Sequence, residues 1–582
     1  MLKFSDYISK LPDNPNQNFA QLLEQIARDH AGKDAILYRF GGQKEFTRWT
    51  YSRFGEECRR VARGLLAAGL VKGDRVALWA ENRPEWMAVY MGAIIAGLSI
   101  VPVDFVVTEQ ECLNIIKITR AKAFFYSRTK REFAQSLGGE GITMSTTVCI
   151  SPPEGGGEAE YYSFGKDAAN QTLPTPDSIA ADHPASIVFT SGTTGVAKGV
   201  TLSHKNIIAN ASAAICILDP NDKDVFISIL PLHHTYATTC CFIAPLACGI
   251  QTVIVEKVLG DVIRADARDA GVTFFIGVPL LFDKFMAGAD KRISNFKKAI
   301  LSPFRKKALA EAKQGRPEYG QKNALLKKVR AKFDLSSVRI MIAGGGPLNP
   351  VTADFFDSFG FNMVQGYGMS ENAPLISVNT PRFKKNESVG LPVSYTEIKI
   401  LEPNAEGIGE IAVTSPSVMI GYFENQEATD EVIVKMEDGK RWLLTGDLGK
   451  VDNDGFLYIL GRKKNLIVTS AGKNVYPEEV EVLFSSRLIA EVLVVGRKGK
   501  DGTSESIFAV VVPNYENIKE DFPGKESDEA FIHAEVRKLV DEANRKLPLY
   551  KKVNDFTLRK EPFEKNAQQK IKRFMYKSYE NA

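Results

Sequence analysis

Through the first 460 residues, short apolar runs of strand character alternate with stretches of helical periodicity. The runs at 75–79, 187–189, 225–229, 252–255, 273–276 and 339–343 are nearly continuous in apolar residues, while 50–69 and 204–218 repeat theirs at helical spacing. Strands apolar on both faces need cover on both sides, and helices between them supply it. This predicts an α/β fold with largely parallel sheets. No fixed-period repeat is present. At 582 residues the chain exceeds what one core usually serves, so two or more domains are expected.

The pattern changes near Gly461. Asp454-Gly455-Phe456 reads as a turn between short strands, and Arg462-Lys463-Lys464-Asn465 as a charged linker. The Lys-rich tail beyond it mixes strands (490–495, 506–512) with helices (478–485, 529–546), which predicts a small α+β domain. The expected division is 1–461, a hinge at 462–466, and 467–582. Residues 151–160 (SPPEGGGEAE) read as an exposed turn-rich linker. Residues 287–333 carry fourteen Lys/Arg against three Asp/Glu, with Phe296, Ile300, Leu301 and Phe304 at helical spacing. Two readings fit this basic insertion: a surface that touches anionic membrane, or a solvated helical insertion, which is preferred. The apolar stretch from Trp86 to Val103 is interrupted by Gly92, Gly97, Ser99 and Pro102. It predicts a buried helix ending near Gly97 and a core strand through Ile100 and Val101, not a membrane span.

The net charge of +4 is too small to imply a nucleic-acid partner. None of the seven cysteines has C-x-x-C spacing, and their odd number argues against a disulfide framework, so a reducing, cytoplasmic setting is expected. The N-terminal residues have no apolar h-region, so no signal peptide is expected.

Chemistry concentrates first in Thr190-Ser191-Gly192-Thr193-Thr194-Gly195-Val196-Ala197-Lys198-Gly199. Glycines let backbone N–H groups approach a ligand, hydroxyls donate to phosphate oxygens, and the lysine adds a positive charge. The loop suits a polyphosphate. It is not a Walker A loop, because Gly199 follows the lysine and Val200-Thr201-Leu202 reads as a strand where that motif opens a helix. Four further motifs follow: Leu230-Pro231-Leu232-His233-His234, Gly344-Gly345-Gly346-Pro347, Gln365-Gly366-Tyr367-Gly368-Met369-Ser370-Glu371 and Thr445-Gly446-Asp447. The glycine triplet permits close approach of a flat ligand. Tyr367 offers an aromatic face to a purine, Ser370 a donor to phosphate, Glu371 a hard oxygen suited to Mg²⁺, and Asp447 an acceptor for ribose hydroxyls.

In this order the motifs resemble those of the adenylate-forming superfamily over about residues 20–575, and most closely those of long-chain fatty acid:CoA ligases of bacterial type. The resemblance implies a large multi-subdomain N-terminal adenylation domain and a small, mobile C-terminal lid. It implies ATP-dependent conversion of a fatty acid to acyl-AMP, then transfer to CoA, with ATP, Mg²⁺ and CoA as cofactors or co-substrates. By resemblance, the 190–199 loop holds phosphates, Thr190 and Glu371 serve Mg²⁺, and His234 lines the acyl pocket. Gly345, Gly346, Gln365, Gly366, Tyr367, Gly368, Ser370, Asp447 and Arg462 serve the nucleotide. Lys464 is implied as the hinge residue, Gly472, Lys473 and Asn474 as the thiol-side loop, and Lys570 (in Gln569-Lys570-Ile571-Lys572-Arg573) as the catalytic lysine, ahead of Lys565 and Lys572. The family's usual threonine is Ser370 here, and Gln569 stands in place of a glycine. Some long-chain relatives have a tryptophan gate where this chain has Thr238; Tyr236 is the nearby alternative. A homodimer, peripheral membrane contact through 287–333, and an aryl or medium-chain acid stay open. So do an acyl-AMP ligase loading a carrier protein, a peptide-synthetase adenylation domain and a non-catalytic binding protein. The first of these would carry an insertion that hinders rotation of the lid, and none is read near the hinge; the second would bring a downstream carrier domain, and none is read in this chain. The joint presence of Lys198, Glu371, Asp447, Arg462 and Lys570 argues against the third.

Overall fold

The computed structural model describes residues 17–152, 159–190, 197–292, 295–469, 473–484, 486–498, 505–565 and 571–580. Among them the strands form five sheets, and two large ones are mostly parallel. The nine-stranded sheet runs in the order Leu391–Pro392, Leu375–Val378, Met363–Gly368, Ile340–Ala343, Phe274–Gly277, Val225–Ser228, Gln251–Ile254, Asp34–Tyr38, Thr47–Thr50. From Met363–Gly368 through Asp34–Tyr38 neighbouring strands are parallel, and the outer strands close each edge antiparallel. The seven-stranded sheet runs Gly421–Tyr422, Lys198–Ser203, Pro184–Thr190, Ser99–Pro102, Arg75–Trp79, Ala123–Tyr126, Thr146–Cys149. The α/β expectation holds.

The helices form for local reasons. The Thr50 hydroxyl accepts from the Arg53 N–H and caps Tyr51–Ala67, and Ser203 and Asn206 cap His204–Leu218 reciprocally. The apolar stretch is a helix, Pro84–Ile95, buried at all twelve residues, followed by Gly97 at φ +78 and the strand Ser99–Pro102. It packs on Tyr51–Ala67 through Gly92, where a Cβ would lie 2.8 Å from Val61 and from the Cys58 carbonyl oxygen. No helix of the described residues is long and apolar enough to cross a membrane.

The basic segment folds as helices Asn295–Lys313, Glu318–Lys322 and Ala324–Ala331. Leu301, Ala308 and Ala312 are buried and Phe304 packs on the core, while Ile300 is exposed. Leu301 and Phe304 of that apolar face are therefore used inside the molecule, and the side chain of Phe296 lies outside the described residues. Several cations are used too: Arg305 lies over the Phe359 ring, Lys313 pairs with Asp354, and buried Arg330 donates to the Gly360 and Gln321 carbonyls.

Glu397–Leu401, Gly409–Thr414, Arg441–Val451, Ile433–Lys435 and Leu457–Arg462 form a five-stranded antiparallel sheet. After it come a ribbon of Ile467–Val468 with Asn474–Val475 and a three-stranded sheet of Ile489–Lys498, Glu505–Pro513 and Asp555–Leu558. The helix Glu529–Arg545 packs on that sheet, and the two share a core that includes Val494, Val511, Val536 and Val540.

Candidate active site

A cleft of about 2410 Å³ opens where the C-terminal strand ends of the large sheets face the antiparallel sheet and the C-terminal segment. Thr190 stands opposite Lys198 in an antiparallel pair, so a strand follows the glycine-rich loop where a Walker A loop opens a helix. Thr190 and Lys198 line the cleft; Ser191, Gly192, Thr193, Thr194 and Gly195 lie outside the described residues. Lys198 Nζ sits 5.0 Å over the Tyr422 ring and 3.8 Å from Glu431. The Tyr422 hydroxyl donates to Glu371 Oε1 at 2.8 Å, and burial together with the Glu371 charge pushes the phenol well above its ordinary value. The Thr235 hydroxyl donates to Ser370 Oγ at 3.3 Å. Lys198, Tyr422, Glu371, Ser370 and Thr235 thus form one polar wall.

The opposite wall is built by register. Asp447 and Arg462 are cross-strand partners, with Arg462 Nε 2.7 Å from Asp447 Oδ1. The Tyr367 hydroxyl donates to Asp447 Oδ2 at 2.6 Å, which aims the ring into the cleft and ties Tyr367 to Asp447. Gln365, Gly366, Gly368, Gly345 and Gly346 line the same cleft. A Cβ on Gly345 or Gly346 would meet nothing nearer than 3.8 Å, so these glycines keep the floor open toward the cleft. Gly345 also sits at φ +82. Gly368 has a different reason: a Cβ there would lie 2.2 Å from the Pro374 carbonyl oxygen.

His234 lines the cleft beside His233, ring centroids 4.1 Å apart, and His233 Nε2 lies 3.2 Å from Asp104. Burial and the neighbouring His233 lower the His234 pKa to about 3, so its imidazole is neutral near pH 7 and offers a hydrogen bond, not a charge. Beyond it runs an apolar arm lined by Ala214, Ile215, Phe226, Cys240, Ile276 and Ile342. Tyr236 stands at this arm with its hydroxyl buried and without a partner among the described residues, and a Cβ on Gly344 would lie 2.7 Å from the Tyr236 ring. Thr238 does not form a gate; its hydroxyl donates to the His234 carbonyl at 3.1 Å.

From the C-terminal side Lys565, Ile571, Lys572 and Arg573 line the cleft, and Lys565 bridges to Ile571. Lys570 lies outside the described residues. Lys565 pairs with Glu491 at 2.6 Å and Lys572 with Glu564 at 2.7 Å. Lys464 also lines the cleft, its ammonium held below its ordinary value by partial desolvation and by Arg462. The thiol-side loop is not brought to the site. Lys473 is exposed, Asn474 pairs with Val468 in the ribbon, neither lines the cleft, and Gly472 lies outside the described residues. Lys565, Ile571, Lys572 and Arg573 thus face the cleft in this arrangement, while Lys473 and Asn474 do not.

Sequence reasoning missed Tyr422, Thr235, Asp104 and Glu431. Tyr422 comes to Glu371 only because Gly421–Tyr422 adds to the edge of the hairpin, opposite Val200. No local pattern marks it. Asp104 follows the strand Ser99–Pro102 and meets His233 across the cleft mouth, a link the His-His pair alone does not announce.

The chain matches the family described as AMP-binding enzyme over residues 23–423 and the AMP-binding enzyme C-terminal domain over 464–582. It is 27% identical over 507 residues to a long-chain-fatty-acid–CoA ligase of Gallus gallus, covering 82% of this chain and 66% of that protein. It is 28% identical over 538 residues to a long-chain-fatty-acid–CoA ligase of Salmonella typhimurium, covering 85% and 86%. Its fold is similar to that of an anthranilate CoA ligase in complex with anthranoyl-AMP (TM-score 0.76, 20% identity, 99% of each chain). It is also similar to that of o-succinylbenzoate CoA synthetase from Bacillus subtilis bound to its acyl-adenylate (TM-score 0.73, 24% identity, 97% and 98%).

Proposed function

The chain belongs to the AMP-binding enzyme family, and from that premise we propose that it activates a long-chain fatty acid with ATP to acyl-AMP and transfers the acyl group to CoA, releasing AMP and pyrophosphate. The supporting observation is one cleft in which a carboxylate paired with an arginine, a polar wall with Lys198 and Glu371, and an apolar arm all meet. The long-chain assignment draws on the ligases of chicken and Salmonella; the anthranilate and o-succinylbenzoate enzymes keep an aromatic acid as the second reading.

A carboxylate becomes a good acyl donor once AMP is its leaving group. Bringing it to the α-phosphate sets two anions against each other, and cations and oriented donors must offset that repulsion. In this reading Asp447 accepts the ribose hydroxyls, held in place by Arg462 and Tyr367. The glycine floor at 345–346 admits the adenine. Lys198 and residues 191–195 hold the outer phosphates, and Ser370 donates to the α-phosphate. Glu371 and the Thr190 hydroxyl are hard oxygen donors of the kind that hold Mg²⁺, which would neutralise phosphate charge. Lys570 supplies the positive charge shared by the two reacting groups, and the neutral His234 orients the acid at the arm. Residues 1–461 form the adenylation domain, 462–466 the hinge and 467–582 the lid, which turns at Lys464 to bring 472–474 to the cleft for thiolysis.

The test is AMP release with a panel of fatty and aromatic acids, with and without CoA. Release that needs both a long-chain acid and CoA is expected. Product retained as acyl-AMP despite CoA would replace this reading with a ligase that loads a carrier protein. No turnover with any acid would end it.

A further inference from the structure

Glu478 stands where three parts of the chain meet. Its Oε1 accepts from Asn465 Nδ2 at 2.6 Å, at the linker. Its Oε2 is buried with no hydrogen-bond partner among the described residues and lies only 2.5 Å from where a Cβ on Gly461 would be. Gly461 precedes Arg462 at the end of the strand Leu457–Arg462, and a Cβ there would crowd the docked carboxylate. On the other side Arg573 Nε is 3.9 Å from Glu478. Arg573 also binds Glu481 and donates to the Val494 carbonyl at 3.1 Å, which anchors the segment that follows Ile571. Arg462, Lys464 and Arg573 all feel the Glu478 charge.

We propose that Glu478 is the positioning residue that holds the C-terminal sheet and helix in the arrangement presenting Lys565, Ile571 and Arg573 to the cleft. One carboxylate thereby ties the strand end at Gly461, the linker at Asn465 and the anchored arginine of the C-terminal segment. The contact is suited to release. A buried carboxylate oxygen that finds no donor among the described residues weakens the docked state, in the direction a two-position element requires. Glu478 touches no reacting group; it acts through where it places the lid. The assignment rests on the two-step reading above for its consequence, but not for its structural content.

The structural content is measured as a distance. Val451 is 41% exposed in the antiparallel sheet and Leu549 is 83% exposed in the C-terminal unit. Cysteines at these two positions take spin labels, while the seven native thiols are buried or half-buried. Glu478→Ala is expected to shift the Val451–Leu549 distance distribution away from that of the parent. Glu478→Gln keeps an acceptor for Asn465 without the charge and is expected to give a mixture. If Glu478→Ala does not fold, Gly461→Ala breaks the contact from the other side. In the half-reactions, Glu478→Ala should lower acyl-adenylate formation about tenfold, in proportion to the competent fraction, and spare thioester formation from supplied acyl-AMP. Unmoved distances in both Glu478→Ala and Gly461→Ala would overturn the assignment even in an active enzyme. Shifted distances in a chain that activates no acid would uphold it and overturn the proposed function instead.

Discussion

Arg462 reaches Asp447 because their strands are in register, and the 2.7 Å contact holds the carboxylate at the cleft wall while the Tyr367 hydroxyl takes its other oxygen at 2.6 Å. A carboxylate fixed from two sides can accept from a diol without reorganising. Asp447→Ala removes hydrogen bonds to a charged group, each contributing about 1.5–3 kcal/mol. The KM for ATP should therefore rise by roughly 10- to 100-fold, with the KM for the acid unmoved. Initial rates across an ATP series check this. An equal rise for both substrates would mean that the substitution disturbs the whole cleft.

Lys570→Ala should lower acyl-AMP formation by roughly 10²–10³, the scale for one positioned charge-stabilising group. Thioester formation from supplied acyl-AMP and CoA should persist. The other two lysines of the segment are already paired, with Glu491 and Glu564, so neither is placed to substitute. Single-turnover assays of each half-reaction decide it, and equal loss in both would remove Lys570 from the first step.

Stability should fall as pH drops below about 6.5, the ordinary histidine value. His204 and His234 are both lowered to about 3, mainly by burial. Between those values the unfolded chain binds protons that the folded chain refuses, so acidification favours unfolding by about 1.4 kcal/mol per pH unit for each such histidine. Above pH 6.5 both are neutral in either state and the slope from this source vanishes. His204 shows why the fold refuses the proton: its Nδ1 accepts the Phe19 N–H at 3.2 Å. His204→Gln should flatten the dependence of Tm on pH between 4.5 and 6.5. An unchanged slope would assign the effect elsewhere.

The parallel core was legible because its strands are continuous apolar runs and its helices carry their caps. The helix Pro84–Ile95 was legible from Gly97 and Pro102 despite having no polar face. Strands such as Asp34–Tyr38 and Ala123–Tyr126 escaped although they are runs of the same kind, since periodicity alone does not tell a short apolar strand from a segment of buried helix. Within the site, residues inside Gly-rich motifs were readable because their chemistry and spacing are local. Tyr422 and the Asp104–His233 pair were not, because each reaches its partner across the fold. Which side of the small unit faces the cleft was equally hidden, since it depends on how that unit docks at Gly461 and Glu478.

Tyr236 and Gly344 make a pair of opposite predictions at the apolar arm. The Tyr236 hydroxyl is buried with no hydrogen-bond partner among the described residues. Such a group weighs against the folded state by about 1–3 kcal/mol. Replacing it with hydrogen keeps the ring and removes that penalty, so Tyr236→Phe should raise Tm. Gly344→Ala acts in the other direction. Its Cβ would lie 2.7 Å from the Tyr236 ring, closer than carbon atoms pack, so ring or backbone must move. Overpacking of this kind costs about 1–3 kcal/mol, and Tm should fall. Because the clash is with the ring and not only with the hydroxyl oxygen, Tyr236→Phe should fail to rescue Gly344→Ala. Since Tyr236 lines the arm, Gly344→Ala should also narrow it and reduce turnover of long acids more than of short ones. Thermal unfolding of the two single variants and the double variant checks the packing, and a chain-length series checks the arm. A lower Tm for Tyr236→Phe would show that the hydroxyl is satisfied after all, and rescue in the double variant would place the crowding at the oxygen alone.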